Sequence, residues 1–298
     1  MKNKRSIYDT SKDVDFLNSP LGEDVQVFFD PSLLGDVSID GFDSNAAKKK
    51  VSSFFSKVVH LYSTGKKDEA AALFTHFDEN NSFGLGYSKS SRKGRGLSTA
   101  MVIELFDRLF KITELQGTTL NNPALYQMFI QNFGPDRLTD LLLTLIAEEL
   151  TNFTNFENKK FNIGCIKMSN ASNHYTYWTG SVVSNLKTIY VVNDVPVTLI
   201  PYKILTKKYA FSITKFLSDI VLPIVQEEYS KKNNGDTISK REIFKEKTRE
   251  YHHLKNFGMA VIEEKPHLLV QYLDTLRRDG SNTHSVPLKS EYDFICHM

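Results

Sequence analysis

Residues 135–154, PDRLTDLLLTLIAEELTNFT, place the strongest constraint on what this chain can fold into. Leu138, Leu141, Leu142 and Leu145 recur at helical spacing, so an amphipathic helix is expected with its leucine side covered by another element. The same periodicity marks AAKKKVSSFFSKVVHLYSTG (46–65), with Val51, Phe54, Phe55, Val58 and Leu61 on one face and Gly65 where a helix stops. A shorter helix is expected over 66–77. Another follows Ser98 or Thr99 as N-cap, with Val102, Leu105, Phe106, Leu109 and Phe110 as its stripe, and a helical turn over 121–134 ends at Gly134.

The character changes near residue 160. FNIGCIKMSN, HYTYWTGSVV and LKTIYVVNDVPVTLIPYKIL favour β-branched and aromatic residues, and Asn193-Asp194 between two apolar runs signals a hairpin. VQVFFDPSLLG (25–35) reads as a short strand stopped at Asp30-Pro31. Helical patterns return from Phe211. The expected class is α+β, with a helical N-terminal part, a small central β-sheet with a hairpin near 186–205, and a helical C-terminal third. The polar, aperiodic residues 1–24 are expected to be a flexible arm, 25–210 an α+β core domain, and 211–298 a helical region packed on that core.

A hydrophobic content of 41% is enough for a core in 298 residues, and a net charge of +2 excludes a chain whose whole surface is a nucleic-acid or polybasic membrane binder. Any electrostatic footprint has to be local. The longest apolar block, LLLTLIA at 141–147, is short of the roughly 20 residues a membrane span needs, so no membrane association is expected. MKNKRSIYDTSKDVDF has no apolar run after its basic residues, and the two cysteines, Cys165 and Cys296, have no metal-ligand spacing. A cytoplasmic location is therefore expected.

The local footprint is FGLGYSKSSRKGRGLS (83–98), with four glycines, four basic residues and four serines in sixteen positions. It is neither a dinucleotide fingerprint, since Lys89 stands where the third glycine belongs, nor a Walker A loop, since Ser88 precedes Lys89. The ingredients of a phosphate cradle are nonetheless present. Gly84 and Gly86 allow close backbone approach, Ser88 carries a hydroxyl, and Lys89, Arg92, Lys93 and Arg95 bring charge just before a helix N-terminus. The alternative is a solvated loop whose charge serves solubility.

Two carboxylates come next. Asp136 suits an N-cap, and Asp140 lies one turn on along the same edge, while Glu148 has drifted by about 80°. Asp136 and Asp140, completed from elsewhere with Glu79 as a candidate, can hold Mg²⁺, and Mg²⁺ beside a phosphate is nuclease or phosphotransferase chemistry. The other reading is an acidic first turn that complements the helix dipole. Asp194 and Lys203 give a third layout, a carboxylate on one strand and a lysine near the end of the next. It is similar to the PD-(D/E)XK class of metal-dependent nucleases, in which the lysine assists the attacking water, although Pro201 stands where that motif has an acid. His252-His253 cannot chelate together on a helix, no HExxH or GxSxG occurs, and Tyr175–Trp178 reads as a half-buried strand. No organic cofactor is expected.

FDPSLL near 29–34, ENNSFGLGYSKSSRKGRGLS, GPDRLTDLLLTLIAEELTNFT and PVTLIPYKIL occur in succession. Together they resemble a family of uncharacterised bacterial proteins associated with mobile elements and anti-phage defence loci, over about residues 25 to 210. The resemblance implies genomic context and no particular chemistry. With the residues above it frames two expectations. One is a metal-dependent nuclease or other phosphodiester-acting effector of defence, acting on nucleic acid, with Asp136, Asp140 and Glu79 at the metal, Lys203 at the water and the loop on the phosphates. The other is a non-enzymatic sensor or partner-binding subunit, engaged with a protein partner or a second copy.

Overall fold

The computed structural model describes residues 7, 14–22, 24–35, 38–76, 82–85, 99–112, 120–131, 133–171, 174–207 and 211–278. The fold is α+β, as expected from the change in periodicity near residue 160. Among the described helices, none is long and apolar enough to cross a membrane. Among the described residues the chain divides into two units, one holding those up to 99 with those of 135–209, the other holding 100–134 with those of 210–278. Residues 100–134 group with the C-terminal helices. Periodicity cannot show this, because an amphipathic stripe does not specify which partner covers it.

In the first unit, helix α1 (Ser44–Ser63) starts where Asp43 accepts the Ala46 N–H at 2.9 Å. Its end is a Schellman motif: Lys66 N–H bonds Leu61 O, Gly65 N–H bonds Tyr62 O, and Gly65 takes a φ of 81° that favours glycine. Val51, Phe54, Phe55, Val58 and Leu61 are buried along the expected stripe. Phe54 meets Phe55, Phe74 and Trp178 edge-on at 5.2–5.4 Å. Helix α2 (Lys67–Ala72) and a 3-10 turn (Leu73–His76) follow.

The expected single helix over 135–154 is two helices. Pro135 opens α5 (Pro135–Leu145), the chain breaks at Ile146, and α6 (Ala147–Phe161) continues to Asn162, which is left-handed at φ 53°. Asp136 is thus inside the first turn of α5 and is not the N-cap, because proline with its fixed φ takes the first helical position. Both leucine faces are buried.

The strands are short. β1 (Phe28–Phe29) pairs antiparallel with β7 (Leu205–Thr206). β2 (Ile166–Ser169), β5 (Thr188–Val192) and β6 (Val195–Pro196) form a three-stranded antiparallel sheet, and β3 (Thr176–Trp178) pairs with β4 (Val183–Asn185). The expected hairpin is the β5–β6 turn, in which Asn193 and Asp194 have φ of 49° and 63°, the type I′ pattern. Tyr175–Trp178 is the half-buried strand expected; Trp178 is fully buried and donates its indole N–H to Ser53 Oγ at 2.8 Å.

Residues 14–19, within the stretch expected to be an arm, are packed. Phe16 and Leu17 are buried, Leu17 N–H bonds Ile200 O at 2.9 Å, and Phe16 bridges Pro201. The stretch runs in irregular backbone, so its three buried apolar side chains, Val14, Phe16 and Leu17, leave no period in the sequence.

The second unit is helical. It contains α3 (Thr99–Leu109), α4 (Ala124–Phe129), α7 (Ile213–Phe216) running through a π-turn (Leu217–Val221) into α8 (Leu222–Lys232), then α9 (Lys240–Tyr251), α10 (Leu254–Glu264) and α11 (His267–Arg278). Helix α10 packs on α4, α7, α9 and α11, and Arg108 clamps Glu263 through two bonds of 2.6 and 2.9 Å. His252 (φ 60°) and His253 (N-cap of α10) form the break between α9 and α10, so the pair is a corner rather than part of one helix.

Thr154 is fully buried on α6; its hydroxyl accepts the Leu199 N–H at 2.9 Å and donates to Leu150 O. Thr154→Val keeps the shape and orphans the Leu199 N–H, so urea unfolding should show a loss of about 1–3 kcal/mol.

Candidate functional site

Three places in the first unit carry the chemistry-bearing residues. The first is the start of α5. Thr139 turns inward and its Oγ accepts the Phe29 N–H of β1 at 3.2 Å. Phe29 is opposite Leu205 of β7, and Asp30 N–H bonds Ile204 O at 3.1 Å. Lys203 occupies the 3-10 turn (Tyr202–Ile204) that leads into β7. The carboxylates of Asp136 and Asp140 lie one turn apart on the half-buried edge of the same helix. Asp136 also meets the positive end of the helix dipole.

The second place is the environment of Lys203. Its ammonium is 3.7 Å from Asp15 Oδ1, and Lys160 is 3.4 Å from Asp15 Oδ2 and 3.8 Å from Glu157 Oε1. Glu157 has no exposed side-chain surface, and among the described residues neither of its oxygens has a hydrogen-bond partner. Burial pushes its carboxyl above the usual range, Lys160 opposes this, and Asp15 and Asp40 add to it. Asp15, Glu157 and Lys160 were not expected at a site. Glu157 was legible as an acid in the stripe Leu150, Phe153, Thr154, Glu157; Asp15 left no sequence signal.

Of the glycine-rich loop, only its entry is described. Val25 N–H bonds Gly84 O at 2.9 Å, Val25 bridges Leu85 in parallel, and the Ser82 and Thr198 hydroxyls lie 2.7 Å apart. The loop thus leaves the chain beside the segments that lead into β1 and β7. Gly86, Ser88, Lys89, Arg92, Lys93 and Arg95, with Asp78 and Glu79, lie outside the described residues. Among the described residues no group of three or more His, Cys, Asp and Glu is placed to hold a metal ion. Asp194 is an exposed hairpin-turn residue, and its left-handed backbone accounts for its presence there. Burial pushes the Cys165 thiol up to about 11, which leaves it protonated at neutral pH.

The third place is the outer face of α6. Lys50 of α1 is almost fully buried, and its ammonium lies 2.7 Å from carboxylate oxygens of both Glu148 and Glu149. It stands 4.8 Å from the Tyr177 ring centre, and burial together with the Glu148 carboxylate pushes the Tyr177 hydroxyl above its usual range. Burial raises the Glu149 carboxyl although Lys50 opposes it.

The model of a protein family described as a domain of unknown function, DUF8370, matches residues 6–212. The chain belongs to the DUF8370 family. No curated protein matches it, and no solved structure does. The DUF8370 match takes in all three places described above and ends close to the boundary at 209–210 between the two units.

Because the Glu157 carboxyl is raised in the folded chain, the unfolded chain ionises first as pH rises, and stability falls as pH climbs from the unfolded value through the raised one. Glu157→Gln removes that dependence. It should unfold at a higher urea concentration than the wild type at pH 8, and the gap should close towards pH 4.

Proposed function

We propose that this DUF8370 protein is a metal-dependent, phosphodiester-acting effector, a nuclease of bacterial anti-phage defence, with its chemistry in the first unit. One observation carries the reading. The Asp136–Asp140 edge of α5 is bonded through Thr139 to β1, β1 is paired with β7, and Lys203 immediately precedes β7. The two carboxylates on α5 and the lysine in the turn before β7 are therefore linked through β1, and the entry of the basic loop is bonded to Val25 ahead of β1 and to Thr198.

In this reading Asp136 and Asp140 hold Mg²⁺ with further oxygen ligands from Glu79 or water. The metal lowers the charge barrier to attack on a phosphodiester. Lys203, which Asp15 holds by charge, orients the attacking water, and Lys89, Arg92, Lys93 and Arg95 hold the phosphate backbone. The anti-phage setting rests on the sequence resemblance alone.

A second reading, a partner-binding subunit of a defence complex, is favoured by a cleft of about 390 Å³ in the helical unit. Ile224, Val225, Ile243 and Val261 make its floor, with Glu228 and Lys265 on its rim.

With Mg²⁺ or Mn²⁺, the purified chain should degrade plasmid DNA or RNA. Asp140→Asn should cut the rate at least about 100-fold while unfolding within about 1 kcal/mol of the wild type. Lys203→Ala should lower the rate by about 10²-fold. Unchanged cleavage in Asp140→Asn rejects the metal assignment. No cleavage by the wild type, together with a complex with the product of a neighbouring gene that Val225→Glu abolishes, selects the second reading.

A further inference from the structure

The residues Glu148, Thr151, Asn152 and Asn155 recur at i, i+3, i+4 and i+7 on α6, so they share one face, opposite the buried Leu150, Phe153, Thr154 and Glu157. A polar stripe of this kind is ordinarily solvated. Here it forms one wall of a cleft of about 280 Å³, whose other wall comes from β2, β3 and the end of β4 through β5. The volume is near the lower end of the ~300–1,000 Å³ range of ligand sites.

The charge in the cleft is one-sided. Its one carboxylate, Glu148, lies 2.7 Å from the Lys50 ammonium, which it shares with the buried Glu149, and Lys50 itself is almost fully buried. Lys167 and Lys187 are left to set the sign. Lys167 is directly across the ladder from Tyr190, and Lys187 comes three residues before Tyr190. The two stems therefore start about 10 Å apart along the sheet. Asn152 and Asn155 from α6 face Asn185 from the end of β4, and Tyr177 and Tyr190 give the cleft its aromatic surface. Among the described residues, no partner is found for the carboxamides of these three asparagines or for the two ammonium groups. Lone donors and acceptors gathered at one concave place, with net positive charge, are suited to an anion that carries a polar body.

We propose that this cleft binds a small organic phosphate of about mononucleotide size. Lys167 and Lys187 bind the phosphate, and the carboxamides of Asn152, Asn155 and Asn185 bind the hydroxyls or base edge of the body. Each carboxamide both donates and accepts, so the three can follow a sugar or a base equally. The Lys50 ammonium, held between Glu148 and Glu149 and over the Tyr177 ring, fixes the wall and reduces the repulsion that the Glu148 carboxylate would exert on the ligand. This inference does not depend on the nuclease reading, because the residues of α5 and Lys203 do not line the cleft.

Calorimetric titration of the full chain with AMP, ribose 5-phosphate, inorganic phosphate and adenosine tests it. AMP or ribose 5-phosphate should bind, inorganic phosphate more weakly, and adenosine least. Whichever of AMP and ribose 5-phosphate binds tighter tells whether a base or only a sugar is read. The Lys167→Ala/Lys187→Ala double variant, both positions exposed, should lose about tenfold or more in affinity with an unchanged unfolding midpoint. Lys167→Arg/Lys187→Arg should restore part of it. Asp140→Asn should bind the ligand as the wild type does. Absence of binding by all three phosphates at millimolar concentration overturns the proposal, as does binding that the double alanine variant leaves intact, or adenosine binding as tightly as AMP.

Discussion

Two threonine hydroxyls on consecutive helices hold the strands of the first unit in place. Thr139 of α5 takes the Phe29 N–H of β1, and Thr154 of α6 takes the Leu199 N–H ahead of β7. Strands of two to five residues cannot stand alone in water, because their own ladders supply too few bonds to offset the cost of ordering them. The helices therefore supply the missing acceptors, at positions with almost no exposed surface, where an unpaired N–H would be most costly. Asn158 and Asn170 do the same for the loops around β2: Asn158 brackets Cys165 through both backbone groups, and Asn170 donates to Tyr175 O and Leu186 O.

This dependence of strands on helices links the elements that carry the candidate site. The elements that carry Asp136, Asp140 and Lys203 are joined because Thr139 points inward from the turn on which the two aspartates point along the edge. The same geometry on α6 separates a buried face, where Glu157 lacks a hydrogen-bond partner among the described residues, from an outer face that lines a polar cleft. Lys50 links α1 to α6. Its pairing with Glu148 and Glu149 is buried enough that loss of the lysine would strand two carboxylates, one of them raised by burial.

Some of this was open to view in the residues. The stripes of α1 and α3, the glycine stop at Gly65, the Asn193-Asp194 turn and the strand nature of Tyr175–Trp178 each follow from a local rule that tertiary packing did not override. The break at Ile146 was hidden, because apolar periodicity runs through it without interruption. So was the pairing of Lys203 with Asp15, a contact across nearly two hundred positions that no spacing encodes.

From the sequence alone follow the α+β class, the absence of recognised nucleotide and zinc motifs, and a set of candidate residues for a phosphate site. These depend on composition, periodicity and short-range turn chemistry, all of which act within a few residues. Tertiary structure alone decided that residues 14–19 are packed rather than a free arm and that 100–134 join the C-terminal helices. It also decided that an asparagine-bearing helix face becomes a cleft. Each of these depends on which surfaces meet, and burial of apolar area rewards any well-fitting partner without marking it in the local sequence.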